Sequence, residues 1–298
     1  MIKENTKKKA LNLKEVIEQT MKTSFFLCGV ITLIAAFAVA GYLILNGLPA
    51  ILEIGFFNFI FGQVWNVQEN TFGILPLLLT TIIGTIGAIL IGVPVGLLTA
   101  VFLSKIASKK VSGAVNTAIE LLAGIPSVVY GFVGIIVLVP IVQRTFDLGA
   151  GNTLFSAIIV LSIMILPNIV NISRIALDAV PRKYEEASYA LGANKIETIF
   201  KVSMPAAKSG IAAGIVLGIG RSIGEAMAVM MVAGNVMNMP GLFESVRFLT
   251  VGIAFELPYT EFGSLHHNAI ISIGLVLFAF IVIINLILNL LLKKRTVK

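Results

Sequence analysis

Ala179-Val180-Pro181-Arg182-Lys183-Tyr184-Glu185-Glu186-Ala187-Ser188-Tyr189-Ala190-Leu191-Gly192 continues into Ala193-Asn194-Lys195-Ile196-Glu197-Thr198-Ile199-Phe200-Lys201-Val202-Ser203-Met204-Pro205. This charged island lies between two long apolar runs. Pro181 is suited to the first turn of a helix, where its missing N–H is not needed. Tyr184, Ala187, Ala190 and Leu191 recur at helical spacing and form one apolar face. Gly192 can take the left-handed conformation that ends a helix. Ile196, Ile199 and Phe200 then form a second short apolar face, which Pro205 is expected to stop. A short helix, a glycine break and a second short helix therefore link two apolar runs. Taken alone, such a segment can lie on lipid, pack beneath its own bundle or meet another protein.

The rest of the chain sets the class. Hydrophobic residues make up 57% of the 298 residues and charged residues only 12%, about half the charged share of a soluble domain. The chain is read as all-α and membrane-embedded, since helices satisfy their own backbone in lipid. Apolar runs occur at Phe25–Leu45, Phe72–Leu103, Leu121–Val142, Thr153–Ser173, Ile211–Val236 and Ala269–Leu292. Each is long enough to cross a bilayer, which takes about 20 residues. The second run carries Pro76, Gly92, Pro94 and Gly96 and is expected to tilt, kink or lie partly along the interface. Lys7, Lys8 and Lys9 precede the first run as in a signal peptide, but its 21 charge-free residues exceed a signal core of about 7–15 residues. It is read as a retained span.

Six spans place both termini on one side. That side carries Lys3, Lys7, Lys8, Lys9, Lys14 and Lys22, then Lys105, Lys109 and Lys110, then Arg174, Arg182, Lys183, Lys195, Lys201 and Lys208, then Lys293, Lys294, Arg295 and Lys298. The opposite loops carry Arg144 and Arg247. The positive-inside rule makes the basic side cytoplasmic. The formal charge of +7 is thus a topology signal, and nucleic acid is not expected as a partner. The expected division is a cytoplasmic segment 1–24, a first span and outer interfacial loop 25–71, a core 72–292 with the loop 177–207, and a cytoplasmic tail 293–298. Phe56, Phe57, Phe59, Phe61 and Trp65 suit an interfacial segment or a packed lid. The longest outer loop, from Val236 to Asn268, carries His266 and His267, read as solvated loop histidines. Cys28 lies in an apolar run and is read as a small lipid-buried residue. No Cys/His cluster suggests a metal site, and no nucleophile–base–orienter set suggests an enzyme. No G-x-x-x-x-G-K-[ST] phosphate loop is present, so ATP is not expected to bind this chain in that way.

The island resembles the EAA loop of ABC importer permeases. Counting from Glu186, Ala187 matches, Ser188 replaces the second alanine, Gly192 is seventh, Val202 seventeenth and Pro205 twentieth, with Met204 where leucine is usual. Three further stretches resemble phosphate importer permeases of the PstC type: Glu120–Gly131, Ile172–Pro181 and Gly218–Val229. The resemblance implies a six-span type I ABC importer permease bundle in the cytoplasmic membrane of a bacterium. It also implies a coupling helix formed by Glu186, Ala187, Ser188, Gly192 and Pro205 that docks on a separate ATPase. The implied partners are a PstB-like ATPase dimer holding ATP and Mg²⁺, a second permease subunit of PstA type, and an extracytoplasmic PstS-like phosphate-binding protein. No cofactor is implied in this chain.

Two features inside the spans are expected to matter. Arg221 and Glu225 are four apart, which would put them on one helix face well inside the membrane. Either they lock the bundle as a mutual pair, or Arg221 meets the oxyanion on its route with Glu225 holding it in place. Gly124-Ile125-Pro126-Ser127 interrupts the third run, as a packing kink or as a gate formed by Gly124, Pro126 and Ser127. The competing functions are import of another oxyanion, such as sulfate or molybdate, and a self-contained secondary transporter.

Overall fold

A computed structural model describes residues 2–294; of the expected tail 293–298, residues 293 and 294 belong to the last helix and residues 295–298 lie outside the described residues. Helix α1 (Ile2–Ile54) is followed by α2 (Phe56–Phe61) and a two-residue hairpin, β1 (Trp65–Asn66) against β2 (Thr71–Phe72). Then come α3 (Leu75–Val101), α4 (Lys109–Gly124), α5 (Ser127–Val133), α6 (Val139–Thr145) and α7 (Leu154–Asp178). The segment α8 (Arg182–Ala190), α9 (Lys195–Thr198) and α10 (Met204–Ala206) leads to α11 (Lys208–Ile223), α12 (Met227–Val232), α13 (Leu249–Glu256) and α14 (Leu265–Lys294). Three π turns, Phe102–Ile106, Gly134–Leu138 and Ile199–Ser203, continue or join neighbouring helices. The architecture is all-α.

Among the described residues, five helical stretches are long and apolar enough to cross a membrane: Ile17–Ile54, Leu75–Ile106, Ser127–Thr145, Leu154–Asp178 and Leu265–Ile287. The sixth crossing needs a bent pair, Lys195–Ala206 and Lys208–Ile223, which meet at 73°. Helix α11 has 16 residues, about 24 Å, short of the roughly 30 Å hydrocarbon core. The crossing is completed beyond a break at Gly224–Ala226 by α12. The expected span Ile211–Val236 is therefore two helices, not one.

Helix α7 is the axis of the bundle. Its buried face carries Leu161, Met164, Ile165 and Ile169, and α3 and α11 pack against it through glycines. A Cβ on Gly92 would come within 2.6 Å of Ile165 Cδ1, and one on Gly218 within 3.1 Å of Ile169 Cγ1. Small residues let helices approach closely where lipid removes the hydrophobic drive. Gly210, Gly214 and Gly218 face Ala176, Ile172 and Ile169 in turn, so α11 runs antiparallel to α7. Val232 of α12 lies against Gly134, next to Val160, which carries the same crossing on toward the start of α7.

The third run also differs from expectation. Ile125 is extended (φ −71°, ψ 127°), as steric clash with the ring of the following Pro126 favours. The Gly124–Ser127 break therefore lies at the start of the crossing Ser127–Thr145, not within it. Helix α4 is a separate amphipathic element. Its N-cap Ser108 accepts from the Val111 amide.

At the end opposite the basic loops, the α2 aromatics and the hairpin cover the bundle. Trp65 and Phe72 meet edge to face at 4.9 Å. Phe59 and Phe72 are buried in one cluster with Ile51, Leu77 and Leu249.

Candidate functional site: a polar cleft and a basic-end loop

Arg221 sits in the last turn of α11. There its charge offsets the partial negative charge of the helix C-terminus. Gly224 ends the helix, its N–H donating to Gly220 O. Glu225 thus lies beyond the helix, and the expected shared face does not form. Its Oε1 accepts from the Ala228 amide at 3.0 Å, capping the start of α12. Its carbonyl accepts from Thr250 Oγ1 at 2.6 Å. Each charge occupies a helix end of opposite sign, and the two form no ion pair.

Arg221 instead faces a cleft of about 580 Å³ between α7, α11 and α14. Its polar lining is Arg221, Asn168 and Asn285, and small or aliphatic residues of α11 complete the wall. A Cβ added at Gly220 would meet no atom within 4 Å, so the cleft is open at that wall. A rise of about 1.5 Å per residue puts Arg221 about 20 Å from Lys208. It puts Asn168 about 15 Å from Asp178 and Asn285 about 14 Å from Lys294. Arg221 and Asn168 lie deep in their spans, and Asn285 lies toward the basic end of the crossing Leu265–Ile287. Sequence reading picked out Arg221 from its charge. It passed over Asn168 and Asn285, although a lone carboxamide in an apolar run is itself a signal.

The loop at the basic end is built as a rigid pair of helices. Pro181 is the N-cap of α8. Gly192 has φ +85°, the conformation that favours glycine. Asn194 and Glu197 then form a reciprocal capping box. Pro205 does not stop the second helix, which runs one residue further to Ala206. The π turn over Ile199–Ser203 shifts the backbone hydrogen-bonding pattern just ahead of the proline, and the chain bends at Ala207 instead. Ser188 is buried, its hydroxyl 2.9 Å from Thr198 Oγ1. Glu185 also points inward and accepts from Lys105 Nζ at 2.7 Å and from Ser203 Oγ at 2.9 Å. Burial pushes its carboxyl pKa up, but these hydrogen bonds and the charges of Lys105 and Arg182 outweigh that and hold it below the ordinary value.

The outward side of α8 carries Glu186, Ala187, Tyr189 and Ala190, with Tyr184 and an 89% exposed Leu191 at its margins. The apolar face expected from spacing is thus turned away from this chain's own bundle. Behind the loop, Arg174 donates to Asn116 Oδ1 and pairs with Asp178, which accepts from Ser104 Oγ. These contacts join the basic ends of α3, α4 and α7.

His266 and His267 are not solvated. His266 Nε2 lies 3.1 Å from Glu256 Oε2, and its ring stacks on Phe72 at 5.8 Å. Glu256 also accepts from Trp65 Nε1 at 2.9 Å and pairs with Arg247. His267 Nδ1 meets Thr260 Oγ1 at 2.9 Å.

The profile of the family described as "Binding-protein-dependent transport system inner membrane component" matches residues 92–297, more than half of the chain. The chain belongs to that family. It is similar to the probable ABC transporter permease protein YqgH of Bacillus subtilis, 38% identical over 275 residues that cover 91% of this chain and 89% of that one. It is 34% identical to the phosphate transport system permease protein PstC of Pasteurella multocida over 292 residues, covering 91% and 90% of the two chains. In fold it is similar to a chain of the MetNI methionine ABC transporter in an inward-facing conformation. That match has a TM-score of 0.56 at 20% identity and covers 75% of this chain and 94% of the other. As a family member, the protein is a membrane-spanning permease subunit of a binding-protein-dependent ABC importer of the inner membrane, a class that works with an ATPase and a substrate-binding protein. The profile spans the cleft residues, the basic-end loop and the Gly124–Ser127 break alike.

Proposed function

We propose that this chain moves inorganic phosphate into the cell as one permease half of an ATP-driven importer. Its basic end and both termini face the cytoplasm, as the positive-inside rule directs. The outward side of α8, with Glu186, Ala187 and Leu191, docks on a separate PstB-like ATPase dimer. Gly192 and Pro205 shape the loop behind that surface, and Ser188 ties it together. ATP and Mg²⁺ bind that partner. A PstA-like second permease completes the route, and a PstS-like protein delivers phosphate to the opposite end. Gly124, Pro126 and Ser127 form the hinge at which α5 swings as access alternates.

The observation that carries the substrate assignment is Arg221, a cation deep in the membrane with no ion pair among the described residues, facing a polar cleft. A fixed positive charge there attracts an oxyanion and is weak enough, as a single charge, to let it leave. Glu225 supports the route indirectly by holding the start of α12. The relatives named for phosphate transport favour phosphate over other oxyanions.

The test is the complete transporter reconstituted in vesicles with its ATPase and binding protein. Phosphate is expected to stimulate ATP hydrolysis and uptake, and sulfate to do neither. Arg221→Gln should abolish uptake while the complex still assembles. Stimulation by sulfate or molybdate alone would move the assignment to that anion, and uptake without any ATPase would overturn the importer reading.

A further inference from the structure

Asn168 and Asn285 come from helices far apart in sequence, yet both line the cleft that Arg221 faces. Neither carboxamide makes a hydrogen bond to another described residue. A polar side chain within a membrane span without a partner is costly. Two of them around one cavity, with a cation that has no ion pair among the described residues as the third polar group, form a set of donors and acceptors that no other described residue of the cleft satisfies. The rest of the wall has no side chain that could do so.

We propose that Asn168 and Asn285 are anion-contact residues that, with Arg221, form a three-point site for phosphate during transit. This rests on the phosphate reading above. Arg221 donates and carries the charge. Each carboxamide can present either its NH₂ group or its oxygen. Phosphate near neutral pH exists with one or two protons, so its oxygens are a changing mix of acceptors and donors. A rotating carboxamide pairs with either kind. A carboxylate there would repel the anion, and a second cation would hold it too tightly. The site accepts both protonation states with one positive charge, and transport is expected to vary little across the pH range in which phosphate changes its charge.

The test uses the complete transporter in vesicles. Asn168→Ala and Asn285→Ala are each expected to lower the turnover of phosphate uptake about tenfold, with the half-saturating concentration, set by the binding protein, unchanged. Asn168→Ser and Asn285→Ser, which keep a donor and an acceptor, should restore part of the rate. Cys28 is the sole cysteine, so a Cys28→Ala background makes single cysteines at 168 or 285 readable even in variants that do not transport. A charged, water-soluble thiol reagent should modify them, and saturating phosphate should slow that modification at least threefold. Wild-type turnover in the double alanine variant, or modification unaffected by phosphate, overturns the proposal. If Arg221→Gln abolishes uptake while the asparagine variants behave as wild type, the phosphate reading stands and this inference alone falls.

Discussion

Lys105 Nζ lies 2.7 Å from Glu185 Oε1, and this contact ties the end of α3 to the loop that carries the proposed ATPase contact. A push on α8 therefore reaches a membrane-spanning helix through one ion pair, reinforced by the hydroxyl of Ser203. Glu185→Gln and Lys105→Met are expected to leave binding-protein-stimulated ATP hydrolysis largely intact while lowering phosphate taken up per ATP several-fold. Equal losses in both quantities would show that the pair only stabilises the fold.

The same pair sets a pH dependence. The Glu185 carboxyl is held below its ordinary value near 4.5. A depressed carboxylate contributes stability that is fully present above the unfolded value and is lost as pH falls through the folded one. Thermal stability of the purified subunit should show this contribution unchanged from pH 7 to about 5 and falling below about 4.5. In Glu185→Gln the acid-side loss should be smaller.

Leu191 is 89% exposed and touches little of its own chain. Leu191→Glu is expected to change the subunit's unfolding free energy by no more than about 0.5 kcal/mol. Recovery of the ATPase with the tagged permease should fall at least tenfold, about 1.4 kcal/mol or more of contact energy. Full recovery would remove this residue from the proposed contact.

Gly92 sits where a Cβ would strike Ile165. Gly92→Val is expected to destabilise the bundle by about 1–3 kcal/mol through overpacking, seen as a lower unfolding temperature in detergent. An Ile165→Ala change in the same chain should recover part of the loss, because it removes the atoms in collision.

Glu256 accepts from Arg247, Trp65 and His266, and all three contacts are partly buried. Glu256→Ala leaves a partly buried guanidinium and an indole N–H without their acceptor, costing on the order of 2 kcal/mol. Trp65 is the sole tryptophan, so its emission reports directly on the loss. An unshifted spectrum with unchanged stability would contradict the network's role.

The membrane class and the loop between the fourth and fifth crossings were legible because each rests on signals that act locally or sum along the chain. Apolar length marks a span whatever its neighbours do, and Gly192 takes its left-handed turn for reasons internal to the loop. The break after Ile223 was not legible. An apolar run reports length, not continuity, and the chain is held open there by Thr250, 25 residues on. The spacing of Arg221 and Glu225 suggests one helical face only if the helix continues. The Gly124–Ser127 break did carry a signal, since Ile125 precedes a proline, but its place at the start of the crossing depends on where α4 leaves the bundle. His266 reads as a loop residue by composition and becomes a packed one only because Phe72 and Glu256 arrive from distant elements. Asn168 and Asn285 needed the fold to bring them together.

The first long apolar stretch, Ile17–Ile54, is about 57 Å long at helical rise. It is fastened near one end, where Ser272 Oγ donates to Gly47 O at 2.7 Å. From Ile17 to Val39 nearly every residue is exposed. Mechanically this is a cantilever: a beam clamped to α14 at its far end, with an exposed arm longer than half its span. The clamp fixes where the arm starts, and whatever borders the arm fixes its tilt. Changes along the exposed arm should therefore alter how the subunit sits among its neighbours more than they alter the packing of the bundle.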